Sequence, residues 1–211
     1  MSTSSITIAP TPDTPLEETL AALDHIVRSG RALYAGVSNC PAAQAREAAP
    51  LLRQLGTPCL IHQARHNLLD RRAEDGLLDV LEAEAVGCIA FSPLAQGLPT
   101  DKYLGGAIHA DSRAAKARFL KASDATPHVL GKVRALNRLA EARGQSLAQM
   151  ALASLLHRRV VASVVVGASR VSQIDDAVGA LAVPDFGATE HAAIGTALGC
   201  APELGTGQAP T

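Results

Sequence analysis

Apolar positions recur along this chain in two alternating rhythms. Leu16, Leu20, Leu23 and Val27 stand three or four residues apart and Gly30 closes the run, which predicts a helix with one apolar face. Thr14-Pro15-Leu16-Glu17 reads as its start, with Thr14 as N-cap, Pro15 at the first helical position and Glu17 completing a capping box. A short apolar run over 32–37 follows and predicts a buried strand. The unit then repeats. Helix Ala42–Leu55, in spite of Pro50, precedes a strand over 59–63, and a helix over 75–85 precedes strand Gly87–Phe91. Helices over 127–143 and 146–157 precede a strand over 162–166, and helices over 172–181 and 189–198 close the series. Ser5–Ile8 reads as a further, partial strand.

Helices alternating with short, continuously apolar strands predict an α/β fold whose parallel sheet is covered by helices. A complete eight-stranded barrel takes about 250 residues, so four clear strands and one partial strand amount to roughly half of one. In such a half barrel Val37, Ile61, Ile89 and either Val164 or Val165 are expected to face the interior. The stretch 99–126 breaks the alternation, carries much of the mid-chain charge and reads as a long loop after a strand. No internal repeat beyond the strand–helix unit is present. The residues after Cys200 read as a flexible tail, 200–211.

Composition narrows the classes. The 211 residues are 47% hydrophobic and 18% charged, enough to bury a sizeable core. A formal net charge of −1 offers no basic face to nucleic acid or anionic lipid, and 2% aromatic residues without Trp speak against base-stacking modules. No apolar run reaches the roughly 18–20 residues that span a bilayer, and the N-terminus lacks the basic-then-apolar order of a secretion signal. Cys40, Cys59, Cys88 and Cys200 are scattered without CxxC spacing, which fits buried thiols in a reducing cytoplasm better than a disulfide or metal site.

Ligands of α/β folds bind outside the carboxyl ends of the strands. There the chain has Ser38-Asn39, His62-Gln63, Phe91-Ser92-Pro93-Leu94 and Gly167-Ala168-Ser169-Arg170, the last running straight into a helix. Carboxamides and hydroxyls suit a neutral amide, and an aromatic ring stacks on a planar one. A glycine turn with Ser169 and Arg170 at a helix start suits a phosphate. Singly, each has a plainer reading: Ser38-Asn39 as a turn, Phe91 as core, Arg170 as surface charge. His62 and His66, four apart across a strand end, read as packing residues. Together they point to a phosphorylated dinucleotide.

The wording of these segments carries further information. Gly36-Val37-Ser38-Asn39, Ile61-His62-Gln63, Asn67-Leu68-Leu69, the run from Ile89-Ala90-Phe91-Ser92-Pro93-Leu94-Ala95-Gln96-Gly97-Leu98, Lys102-Tyr103, Ala148-Gln149-Met150-Ala151-Leu152 and Val166-Gly167-Ala168-Ser169-Arg170 resemble the aldo-keto reductase family. The resemblance is to the branch of bacterial glyceraldehyde 3-phosphate reductases and potassium channel β-subunits, and runs in order over 14–198. It implies the last four to five βα units of a (β/α)8 TIM barrel, with 14–199 as the C-terminal half of the reductase and 1–13 outside it. It also implies an NADP-dependent oxidoreductase that reduces small carbonyl compounds with NADPH. Ser38, Asn39 and Gln63 would hold the nicotinamide carboxamide and Phe91 would stack on the ring. Ser92, Leu94, Gln96, Gly97 and Lys102 would wrap the pyrophosphate. Gly167, Ser169 and Arg170 would take the 2′-phosphate, and Gln173 would approach the adenosine. Ala177 departs from the family pattern, which often has an Asn facing adenine there.

The larger departure concerns catalysis. The family's tetrad of Asp, Tyr, Lys and His comes from its second to fourth strands, which precede the helix that starts here near Thr14. Residues 1–13 hold no Tyr, Lys or His, and Tyr34 and Tyr103 fall outside the position of the acid. The expectation is a truncated chain with no catalytic residues of its own, inactive alone, which self-associates through open barrel edges, aggregates, or stays loosely packed until an N-terminal half completes it. The alternative is a non-catalytic module that binds a nucleotide or a partner.

Overall fold

The computed structural model describes residues 5–8, 13–95 and 126–199. The loop expected over 99–126, apart from Thr126, the tail 200–211 and three candidate site residues, Gln96, Gly97 and Lys102, lie outside them. By its internal contacts the chain divides into two compact units, Met1–Pro93 with Leu155–Ala168, and Leu94–Ser154 with Ser169–Thr211.

The first unit is a sheet covered by helices. Strands β1 (Ser5–Ile8), β2 (Tyr34–Ser38), β3 (Cys59–Arg65), β4 (Gly87–Phe91) and β5 (Val161–Val165) are all parallel, and their order in the sheet is their order in the chain. Parallel neighbours need crossovers, and α1 (Leu16–Arg28), α2 (Ala42–Leu55) and α3 (Leu77–Ala83) supply the first three. The architecture is that of a partial (β/α)8 barrel.

Helix α1 begins one residue later than its capping signal implies, because Pro15 itself takes the N-cap position. Helix α2 keeps Pro50 inside and ends at Gly56, whose φ of 89° is the left-handed stop that returns its N–H to the last turn. Helix α3 is shorter than the expected 75–85. A 3₁₀ turn at Arg72–Glu74 and a left-handed Gly76 (φ 86°) occupy the approach.

Register decides which face each strand residue takes. Val37, His62 and Cys88 lie side by side, as do Ala64, Ala90 and Val164. This is the helix face, packed in one cluster with Leu20, Leu23, Leu52, Leu78 and Leu81. Val37 is 2% exposed and belongs to that cluster, so the expectation that it faces the interior is corrected; of Val164 and Val165, Val164 packs against the cluster and Val165 is the one that turns away from it. Alternation assigns the opposite face to Ser38, Ile61, Gln63, Ile89 and Phe91, which are half-buried, and to Val165, which is 50% exposed.

In the second unit, α4 (Pro127–Ala142) starts at Thr126, whose hydroxyl accepts the Val129 N–H at 3.2 Å. Helix α5 (Leu147–Leu156) is closed by a reciprocal cap: the Ser146 hydroxyl accepts the Gln149 N–H (3.1 Å) and the Gln149 side chain accepts the Ser146 N–H (3.0 Å). Ser146 also donates to Asp176 (3.1 Å) of α6 (Val171–Gly179). Helix α6 comes so close that a Cβ on Gly179 would stand 2.5 Å from Gln149 Nε2, so a larger residue there would have to displace the Gln149 amide. Helix α7 (Ala188–Leu198) packs on α4, burying Ile194 and Leu198.

Candidate functional site

Each strand of the parallel sheet delivers its last residues to one end, and three of those ends carry the candidate chemistry. Ser38 and Gln63 are register partners, so a hydroxyl and a carboxamide stand beside each other on the non-helix face. Ile89 continues their row on β4, and Phe91 lies one pair further toward the carboxyl end, aligned with Arg65 and Val165. Asn39, the next residue after β2, has φ 54°, and its N–H donates to the Gln63 carbonyl at 3.0 Å. Ser92, the next residue after β4, has φ 52°, and Ala95 has φ 40°. Asn tolerates the left-handed basin better than most residues, whereas for Ser and Ala it costs roughly 1 kcal/mol or more.

The two histidines are packing residues, as expected, and one is also a tie. Both are buried, and burial pushes both imidazoles below their ordinary pKa, which favours the neutral form. His62 Nε2 lies 3.1 Å from the Cys40 carbonyl. A carbonyl only accepts, so the proton sits on Nε2 and Nδ1 is left as an acceptor, with no partner among the described residues. His66 contributes its backbone N–H to the Phe91 carbonyl at 3.4 Å.

Sequence reasoning assigned Asn67 no role. Its side chain makes three hydrogen bonds. Oδ1 accepts from the N–H groups of Leu69 (3.0 Å) and Asp70 (2.8 Å), and Nδ2 donates to the Ser92 carbonyl (3.1 Å). The same loop is stiffened by Asp70, which accepts from both nitrogens of the Arg72 fork (2.8 and 2.7 Å) and pairs with Arg65 (3.2 Å). The Arg72 hydrogen bonds, with help from Arg65, hold the Asp70 carboxyl below the usual carboxylate range. Beside this loop lies a cleft of about 500 Å³, lined by Asn39, His62, Arg65, Arg72 and Asp75 among others.

The remaining candidates lie further along the chain. Gly167 is exposed in the first unit, and Leu94 is half-buried at the start of the second. In the second unit Ser169 and Arg170 lead into α6. Arg170 is its N-cap residue, exposed and extended (φ −144°, ψ 147°), and no side chain caps the helix. Gln173 folds back so that its side-chain oxygen accepts from the Ser169 N–H (2.8 Å) and hydroxyl (3.3 Å). An uncapped helix start leaves N–H groups of its first turn open, and with an exposed guanidinium alongside it favours an anion.

The parallel sheet, with strand order following chain order and helical crossovers, is that of a partial (β/α)8 barrel, and it carries hydroxyl and carboxamide side chains at its strand ends. The sequence model of the aldo/keto reductase family matches residues 9–198, and the chain belongs to that family. It is 48% identical over 187 residues to the L-glyceraldehyde 3-phosphate reductase of Escherichia coli K12, covering 86% of this chain and 54% of that protein. To a probable voltage-gated potassium channel subunit beta of Arabidopsis thaliana it is 35% identical over 173 residues, covering 79% of this chain and 52% of that protein. A crystal structure of a thermostable aldo-keto reductase in complex with the inhibitor epalrestat superimposes with a TM-score of 0.65 at 25% identity, covering 92% of this chain and 60% of that one. The chain thus spans about half the length of the curated relatives it matches.

Proposed function

We propose that this chain belongs to an NADPH-dependent oxidoreductase that reduces small carbonyl compounds. The observation that carries this reading is the Ser38–Gln63 register pair beside the left-handed Asn39. A nicotinamide carboxamide offers one acceptor and two donors, and Ser, Asn and Gln side chains each present both kinds of group. Phe91, on the same face one register further out, supplies a ring surface for stacking. Bound NADPH supplies the hydride. The chain's own residues bind and orient it: Ser38, Asn39 and Gln63 the carboxamide, Phe91 the ring, Ser92 and Leu94 the start of the pyrophosphate segment. Preference for the 2′-phosphate is assigned to Ser169 and Arg170 at the uncapped start of α6. Among the described residues three cysteines are buried free thiols, with Cys40 and Cys88 pushed up by burial to about 11, which fits a reducing, cytoplasmic setting.

The test is a titration of the chain with NADPH and with NADH, followed by the change in reduced-nicotinamide fluorescence. NADPH is expected to bind the more tightly. Equal affinities would remove the 2′-phosphate assignment, and binding of neither would remove the cofactor reading.

A second part of the proposal concerns association. Among the described residues β1 pairs only with β2, and β5 only with β4, so both outer strands present unpaired backbone groups. Parallel sheets are normally covered on both faces, and open edges recruit further strands. Val165 is half exposed, and α6 carries Val171, Ile174 and Val178 exposed along one stripe. Static light scattering of the purified chain is expected to give a mass above the monomer's 21.7 kDa. A monodisperse monomer at every concentration would rule this out.

A further inference from the structure

Strand β3 lies between the two strands whose ends turn through the left-handed basin, and it reaches both. Two of the contacts from β3 and the two residues that follow it are backbone bonds, Asn39 N–H to the Gln63 carbonyl and His66 N–H to the Phe91 carbonyl. The other two come from side chains. His62 donates to the carbonyl of Cys40, two residues past the end of β2, and Asn67 donates to the carbonyl of Ser92, one residue past the end of β4. Both side chains are 0% exposed.

Neither side chain is there for packing alone. Both acceptor bonds of Asn67 hold its own loop, so its amide group is the part left to reach Ser92. His62 carries an unpaired buried Nδ1, a burden that an apolar ring of the same size would avoid. We infer that His62 and Asn67 are positioning residues, a pair of buried braces through which β3 and the loop after it set the turns after β2 and β4. They thereby fix Asn39 relative to Phe91 and Ser92. The inference rests on the nicotinamide reading given above. Without its brace, each turn is free to leave the left-handed basin, and a small displacement of the binding groups is costly because polar contacts weaken steeply with distance and angle.

Two substitutions separate bracing from bulk stability. His62→Phe keeps a ring and loses the N–H. Asn67→Asp keeps the acceptors for Leu69 and Asp70 and loses the donor to Ser92; Asn67→Ser replaces it if the buried carboxylate prevents folding. Each variant is expected to bind NADPH about tenfold more weakly, the scale of one lost hydrogen bond. The preference for NADPH over NADH should stay unchanged, since neither residue is among those assigned to the 2′-phosphate. Hydrogen exchange without nucleotide is the second readout. His62→Phe should speed the amides of Asn39 and Cys40 and the Asn67 variant those of Phe91 and Ser92, with α1 and α2 unaffected. Unchanged affinity in both variants, or exchange that speeds evenly across the unit, overturns the inference while leaving the cofactor reading standing. A wild type that binds no dinucleotide overturns both.

Discussion

An Arg143→Ala chain is expected to lose about 3 kcal/mol of stability, because it leaves a hydrogen-bonded ion pair and two loop carbonyls without their shared donor. The Arg143 side chain is 6% exposed and uses nearly all of its fork. Nε donates to Gln145 (2.8 Å), NH1 to Glu190, and NH2 to the carbonyls of Val183 (3.1 Å) and Asp185 (2.9 Å). Its guanidinium also lies 3.8 Å from the centre of the Phe186 ring. One side chain thus ties the end of α4 to the segment entering α7. Arg143→Lys should recover only a minor part, since an ammonium lacks the planar fork that meets four acceptors and a ring at once. A thermal midpoint about 6–12 °C below wild type is the expected reading, with faster hydrogen exchange in α4 and α7. A melt within about 1–2 °C of wild type would show that the network is dispensable (about 0.5 kcal/mol).

The same network predicts a pH dependence. Glu190 accepts the Gly187 N–H at 2.7 Å and pairs with Arg143, and these two contacts, the backbone bond first, hold its carboxyl below the usual glutamate range. A depressed folded pKa stabilises above the ordinary glutamate value, and that contribution is lost as pH falls through the lower folded value. Arg143→Ala and wild type should therefore differ less in acid than at neutral pH.

Arg170→Ala is expected to weaken NADPH binding by about 10- to 150-fold, or roughly 1.5–3 kcal/mol, and to leave NADH binding nearly unchanged. The asymmetry follows from where Arg170 stands. It is exposed at the uncapped start of α6, so its removal creates no cavity and breaks no internal contact of the helix. Its expected target is an anion that NADPH has and NADH lacks. The preference should shrink with added salt as the exposed charge is screened. Parallel titrations of wild type and variant with both nucleotides measure it. An equal loss for both nucleotides would assign Arg170 to the part they share.

Elements whose signals are local are legible in the amino-acid sequence itself. Strand Gly87–Phe91 and helix Ala42–Leu55 fall where their periodicities predict them, because a five-residue apolar run and a helical stripe each carry their own pattern. Boundaries set by partners are not legible in this way. Strand β3 runs to Arg65, two residues past its apolar run, because Ala64 and Arg65 still pair with Ala90 and Phe91. Helix α3 is cut short by the 3₁₀ turn and Gly76, whose left-handed φ is chosen by the loop it closes.

The candidate site divides in the same way. Its polar residues, Ser38, Asn39, Gln63, Ser92, Ser169 and Arg170, stand out in the sequence because each interrupts or follows an apolar run, and an interruption is visible along a single chain. That Ser38 and Gln63 share a face while Val37 turns to the helices depends on a register between strands more than twenty residues apart. That His62 reaches Cys40, Asn67 reaches Ser92 and Arg143 reaches Glu190 depends on separations of 22, 25 and 47 residues. Helix and strand periods come from local backbone geometry, so the chain alone determined the order of elements and the class of fold. Which buried donor meets which distant carbonyl is settled only when packing brings both out of water together, where leaving either unpaired costs about 1–3 kcal/mol, and that choice belonged to the tertiary structure.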